Sequence, residues 1–267
     1  MGVNILVAIK RVPAPGARIT LTEDRLQIDT RHLGFTISPH EECAVEEAVQ
    51  QAEELGGETT VITVGPQIAE EQLRTAISMG IDHGVLVATD TPDSSAAEDV
   101  LVQEWDAAAT AVALTDAIRT LEADTAPFDL ILFGNESADA GNHQVAIRVA
   151  HALGRPVVAG VKNLELADNT VTLHRAVDPG WEVVRTALPA VAAVKEGINL
   201  PRYPAMRGRL AAKKAQIRHL APQPRPATIT RRGLRHPEQQ LTQTRILGHG
   251  AAAAPAIVEV LEQVGAL

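Results

Sequence analysis

Four short apolar runs, NILVAI, TTVITV, HGVLVA and LILF, constrain the fold of this 267-residue chain more than any other feature. Each is too continuous to be a half-solvated strand and reads as a strand covered on both faces. Helix-period segments are interleaved with them. In the stretch after Ser38, the residues Ala44, Val45, Ala48, Val49, Ala52 and Leu55 form one apolar stripe. Ser38 stands as its N-cap, Pro39 takes the first helical position, and Glu41 falls where a capping box places an acid. Gly56-Gly57 ends that helix. IAEEQLRTAISM runs into Gly80, residues Ala97 to about Ala123 read as one long helix, and HQVAIRVAHAL runs into Gly154. RITLTEDRLQID alternates around Glu23-Asp24 and reads as a hairpin. Strands alternating with helices across short connections predict an α/β fold with a doubly wound, mostly parallel sheet. After Pro156 the texture changes, and TVTLHRAV and VVRTALPAVAAV read as an antiparallel pair around DPGW at the sheet edge. From Gly197 the periodicity weakens and Pro accumulates. The predicted organisation is an α/β domain over 1–196 and an extended C-terminal arm over 197–267, closing in the amphipathic segment AAPAIVEVLEQVGAL.

Charge is distributed unevenly along this plan. The net charge is −9, yet Arg202 to Arg235 holds ten basic residues and no acid. The first 201 residues hold 13 bases and 30 acids, so an acidic body carries a basic arm. Such an arm suits an acidic surface, on a partner or on its own body. It lacks the interleaved aromatics of a nucleic-acid arm, so no nucleic-acid partner is expected. Aromatics are 2% of the chain, which makes a stacking platform improbable. Cys43, the single cysteine, leaves no zinc cluster or disulfide to build and suits a small core position. No apolar run approaches a membrane span, so no membrane insertion is expected. MGVNILVAIK enters a strand directly, without a basic region, a long apolar region and a cleavage site, and a cytoplasmic location is expected.

Open parallel sheets bind ligands beyond the carboxyl ends of their strands. Here those ends are Ala8–Arg11, Val64-Gly65 and Gly134-Asn135. The last is followed by ESADAGNHQV, a polar loop that leads into a helix. Gly134 and Gly141 permit close backbone approach. The N–H groups of Asn142, His143, Gln144 and Val145 at the helix start suit a phosphate. Asp139, Asn142 and Gln144 supply side chains for a ribose or a base edge. An ordinary strand-to-helix loop capped by Asp or Asn is the plain alternative. GxGxxG and GxxxxGK[ST] are both absent, which disfavours the usual dinucleotide and P-loop sites.

The segments LVAIKRVPAPGARI, SPHEECAVEEAV, RTAISMGIDHGVLV, GNESADAGNHQVA and LPAVAAVKEGINLPRYPAMRGRLAAKKAQI occur in that order. Together they resemble the beta subunit of electron transfer flavoproteins from about Val3 to Ile217, most diagnostically from Leu188 through NLPRYP to AAKK. The resemblance implies a heterodimer with an alpha subunit that holds most of the redox FAD. It implies a relay of electrons from flavin dehydrogenases to a downstream acceptor. The chain itself would be a carrier subunit with no catalytic or metal-ligating residue, because the flavin supplies the electron chemistry. In its beta subunit the family holds AMP, or a second FAD in electron-bifurcating members.

Carried onto this sequence, the adenylate site comprises Ala8, Ser38, Pro39, His40, Glu41 and Val64, then the loop Gly134, Asn135, Glu136, Ser137, Ala138, Asp139, Ala140, Gly141, Asn142, His143, Gln144 and Val145. The family's loop usually carries an acid run and then Asn-Gln-Thr. Here Asp139 alone stands for the acids and Val145 replaces the Thr, so AMP, the commoner state, and FAD both stay open. Ile198 falls at the position by which the family anchors its dehydrogenase and Leu200 replaces the usual Glu; exposed together they would form an apolar partner contact, the plain alternative being that one of them packs under the loop. The remainder of the arm is expected on the alpha subunit. Two other function classes compete: a stand-alone adenine-nucleotide module of the universal-stress-protein type, and a structural partner subunit with an empty site.

Overall fold

The computed structural model describes residues 2–90, 105–223, 228–229, 231–237 and 245–267. In chain order the main elements are β1 (Val3–Ala8), β2 (Arg11–Pro13), β3 (Phe35–Ile37), α1 (Pro39–Leu55), β4 (Gly57–Gly65), α2 (Glu70–Met79) and β5 (His83–Ala88). They continue as α3 (Ala107–Asp124), β6 (Leu130–Gly134), α4 (Val145–Leu153), β7 (Val157–Ala167), β8 (Thr170–Ala176), β9 (Trp181–Ala187) and β10 (Ala190–Val194). After them come α5 (Met206–Lys214), β11 (Ile217–Leu220) and α6 (Ala254–Gln263). Among the described residues no helix is long and apolar enough to cross a membrane.

Nine strands form one sheet in the order β11-β5-β4-β1-β6-β10-β7-β8-β9. Neighbours are parallel from β11 to β7, and the β7–β8 and β8–β9 pairs are antiparallel. The continuous apolar runs have the expected cause, because helices cover both faces. Ile5, Val7, Leu130 and Leu132 face a core shared with Ala44, Val45 and Ala48 of α1 and Leu73 and Ala76 of α2. Leu6, Ile62, Ile131 and Phe133 face the other core, built with Leu114, Ala117 and Ile118 of α3 and Val149 and Ala150 of α4. The fold is therefore doubly wound α/β. The winding reverses at β1, whose neighbours are β4 on one side and β6 on the other. That reversal opens a crevice at the carboxyl ends of β1 and β6, the place where such sheets take ligands.

Several local expectations change. The hairpin around Glu23-Asp24 reduces to a tight turn, closed by the Arg25 N–H donating to the Thr22 carbonyl, and one bridge between Leu21 and Ile28. β2 and β3 form a separate two-stranded antiparallel sheet. VVRTALPAVAAV is not one strand. Pro189 has no N–H to continue a ladder, so the chain leaves the edge after β9. It returns as β10 between β6 and β7. The long helix starts at Ala107, where the Asp106 carboxylate caps the Ala109 N–H at 2.8 Å; the expected portion from Ala97 to Glu104 lies outside the described residues. The stretch after Gly197, grouped with the arm by its sequence, supplies α5, which packs on α2, and β11, which pairs with β5 at the sheet edge.

Candidate functional site

A cavity occupies the crevice at the switch point. Ala8 closes β1, Val64 stands near the end of β4, and Gly134 closes β6, so three neighbouring strands supply its floor. Asn135, Glu136 and Ser137 line one side as the chain leaves β6, and Asn142, His143, Gln144 and Val145 line another as it enters α4. The predicted loop thus bends around a real cavity. Gln144 is the N-cap of α4, and the first helical N–H to find an acceptor within the turn is that of Arg148, on the Gln144 carbonyl at 3.0 Å. The preceding N–H groups, from Gln144 through Ile147, therefore lack intrahelical acceptors and give this end of the cavity its positive character.

Not every predicted residue reaches the cavity. Ala138, Asp139, Ala140 and Gly141 form the outer, exposed limb of the loop. Asp139 works as its latch: both carboxylate oxygens accept from the Lys10 ammonium, at 2.7 and 2.6 Å, and one also accepts from the Ala140 N–H at 2.8 Å. Burial opposes the charge on Asp139, but Lys10 prevails and holds it below the ordinary carboxylate range. Ser38 caps α1 with its backbone while its hydroxyl donates across to the Glu136 carbonyl at 3.4 Å. The Ser38 hydroxyl does not take its half of the expected capping box, although the Glu41 carboxyl still feels the Ser38 N–H. The Glu41 side chain turns into the cavity wall and accepts from the Lys10 N–H at 2.7 Å. Pro39 holds the first position of α1 and His40 stands beside the loop. Gln144 is committed elsewhere as well, its amide oxygen accepting from Arg148 at 3.0 and 3.1 Å.

Glu136 joins two imidazoles. Its carboxylate lies 2.5 Å from His143 Nε2 and 3.5 Å from His40 Nε2. His40 Nδ1 accepts from the Glu196 N–H at 2.9 Å, which fixes the tautomer and ties the loop to the end of β10. Burial pushes the His40 imidazole below its ordinary value, against the pull of Glu136. Asn135 spans the same region, with Oδ1 accepting from the Gly160 N–H at 2.8 Å and Nδ2 3.2 Å from His143 Nδ1. Gly134 has no room for a side chain: an added Cβ would stand 2.6 Å from Glu41 Cγ and 3.1 Å from the Glu41 nitrogen.

Several lining residues escaped the sequence reading. Lys10, Trp105, Ala107, Thr110, Leu114 and Phe133 all face the cavity. Two of the chain's six aromatic residues therefore stand on one wall, where the low aromatic content argued against a stacking surface. The usable signal was local: Lys10 lies two residues past the β1 terminus, inside the strand end Ala8–Arg11, and Trp105 precedes the Asp106 cap. The lining combines the apolar Ala8, Val64, Trp105, Leu114 and Phe133 with polar groups and the N–H-rich start of α4. A flat heterocycle joined to an anion matches both kinds of lining.

The two recognition-loop residues separate. Leu200 is 89% exposed, whereas Ile198 is half-buried against the core. The Ile198 N–H donates to the Lys195 carbonyl at 3.3 Å, and this turn tucks its side chain under the loop. Arg202, two residues beyond Leu200, clamps Glu46 and Glu53 of α1.

Comparison with known proteins agrees with this architecture. Residues 25–224 match the family model described as the electron transfer flavoprotein domain. The chain is 34% identical to the electron transfer flavoprotein subunit beta of Bacillus subtilis over 221 residues, 81% of this chain and 78% of that protein. It is 36% identical to the subunit beta of Syntrophomonas wolfei over 218 residues, 81% of this chain and 79% of that one. The like-named protein of Dictyostelium discoideum is 29% identical over 224 residues, 84% of this chain and 83% of that one. The chain belongs to the electron transfer flavoprotein family, as a member of its beta-subunit branch.

Proposed function

We propose that this chain pairs with an electron transfer flavoprotein alpha subunit, and that the heterodimer relays electrons from flavin dehydrogenases to a downstream acceptor. In this reading the cavity of this chain holds an adenine nucleotide, AMP in the first instance and the adenylate half of an FAD as the alternative. The observation that carries the reading is the cavity at the switch point of the sheet, lined both by the apolar Ala8, Val64, Trp105 and Phe133 and by the start of α4. The residues fit the group. The apolar wall takes the faces of a purine, the N–H groups take phosphate oxygens, and Asn142 and Ser137 stand at the rim for ribose hydroxyls. The bound flavin of the heterodimer supplies the electron chemistry. This chain positions the nucleotide, excludes water around it, and presents Leu200 to a partner dehydrogenase, with Ile198 beneath it shaping the loop.

Purification of the full chain with its alpha subunit, followed by extraction and identification of nucleotides, tests the reading. One FAD and one AMP per heterodimer are expected. Two FAD per heterodimer would assign the bifurcating type. A heterodimer in which this chain carries no nucleotide would overturn the cradle.

A further inference from the structure

Among the described residues four titratable side chains line the cavity: Lys10, Glu41, Glu136 and His143. Three are solvated and ionically paired, Lys10 with Asp139 and Glu136 with His143 and His40. Glu41 differs from them. It is 6% exposed; its carboxyl accepts from the backbone N–H of Lys10 at 2.7 Å and also feels the backbone N–H of Ser38, but no cationic side chain is paired with it among the described residues. The Lys10 ammonium, the nearest cation, is held by Asp139 on the outer limb of the loop. Its Cγ packs against Gly134, where an added Cβ would stand 2.6 Å from it.

Resting on the nucleotide reading above, we propose that Glu41 serves the cradle as a neutral carboxyl that donates its O–H to an acceptor atom of the bound nucleotide. The acceptors available on such a ligand are purine ring nitrogens, ribose oxygens and phosphate oxygens. Ionised, the same side chain would offer only lone pairs, and it would add charge to a cavity already flanked by Glu136 and Asp139. Burial is the largest influence on the group and pushes it up to about 8, against the Lys10 N–H bond, the Lys10 charge and the Ser38 N–H; Asp139 raises it further. An anionic ligand in the cavity acts in the same direction, so nucleotide binding takes up a proton wherever Glu41 has begun to ionise.

The test uses the full chain purified with its alpha subunit, stripped of nucleotide and titrated with AMP by calorimetry between pH 7.5 and 9.5. This window lies above the ordinary range of imidazoles and of phosphate monoesters. Wild-type affinity is expected to fall about tenfold per pH unit once pH exceeds about 8, the limiting slope for one linked proton. Titration at pH 8.5 in two buffers of different ionisation enthalpy should show net proton uptake, a readout that needs no variant. Glu41→Gln keeps a neutral donor of the same size that cannot ionise, so its affinity, whatever its value at pH 7.5, should stay flat to 9.5. A flat wild-type profile without proton uptake overturns the role of Glu41 while leaving the nucleotide site in place. A Glu41→Gln profile that still tracks the wild type does the same. Failure of AMP to bind at any pH overturns the nucleotide reading itself.

Discussion

Gly134 shows how much of the site rests on one residue. It ends β6, and it faces the start of α1 with no spare volume. A methyl group there would sit 3.1 Å from both the Glu41 nitrogen and His40 Cβ, neither of which is the free end of a flexible side chain. Gly134→Ala should therefore push α1 away from β6, at about 1–3 kcal/mol for an overpacked position. It should also displace Glu41 and lower nucleotide occupancy. Urea denaturation and nucleotide content, measured on the same preparation, check both effects; unchanged values for both would mean that α1 yields without cost. At this scale the sequence was informative about backbone and poor about side chains. The glycines and polar residues of 134–145 mark a loop that must approach something closely, because few other residue types tolerate it. The latch between Lys10 and Asp139 joins positions 129 apart, and no local pattern reports it. Trp105 was hidden for another reason: the residues before it share the helical period of α3, so the wall residue read as part of one long helix.

Elements were legible where burial imposes a period. β1, β4, β5 and β6 appear as unbroken apolar runs because both faces are covered, and α1, α2 and α4 end at the glycines that cap them. Strand order was not legible, because a run such as AVAAV is equally suited to an edge or a centre. Only tertiary pairing places β10 between β6 and β7. β11 is a parallel case, brought to the edge beside β5 by the packing of α5 on α2. Two contacts make that packing. Arg74 of α2 donates to the Ala212 and Ala215 carbonyls at 2.7 and 3.0 Å, which satisfies the end of α5. Gly208 lets the helices close, since a Cβ there would lie 2.2 Å from the Ser78 carbonyl oxygen. Gly208→Ala should gain a little helix propensity and lose more by prising the helices apart, for a net cost of about 1–3 kcal/mol. Chemical denaturation gives the sign directly, and a more stable variant would show that the α2–α5 contact is slack.

Over the whole molecule, the split between acidic body and basic arm proves to be partly an internal device. Arg218 reaches Asp124 at 2.5 Å, and the arm returns at Thr228 and Ile229, whose N–H groups donate to Asp106 at the head of α3. Arg202 makes the most extensive of these contacts. Its guanidinium bridges Glu46 and Glu53, one helical face of α1, while its own N–H donates to Glu46 at 3.0 Å. Burial disfavours the charge, yet hydrogen bonds first to Glu53 and then to Glu46 outweigh it and raise the guanidinium above its ordinary value. The Glu46 side chain is 4% exposed, and besides Arg202 it accepts from Gln50 at 2.7 Å. Removing the arginine would leave a buried carboxylate without its counter-ion, whereas removing both charges would not. The full cost of breaking a buried pair is about 3–5 kcal/mol. Because Arg202 is itself a third exposed, solvent screening brings the cost of Arg202→Ala below that range, to about 2–3 kcal/mol. Adding Glu46→Gln should return most of the loss, and Arg202→Lys should recover only part, since an ammonium cannot reproduce the fork across two carboxylates. Urea melts of the three variants measure this. The loop from Ile198 to Tyr203 should also exchange its amide hydrogens faster in Arg202→Ala, because the clamp is what ties that loop to α1. If Arg202→Ala melts within about 0.5 kcal/mol of the wild type, as an ordinary surface pair would, the arm is held by its backbone contacts and the charge asymmetry belongs to a partner instead.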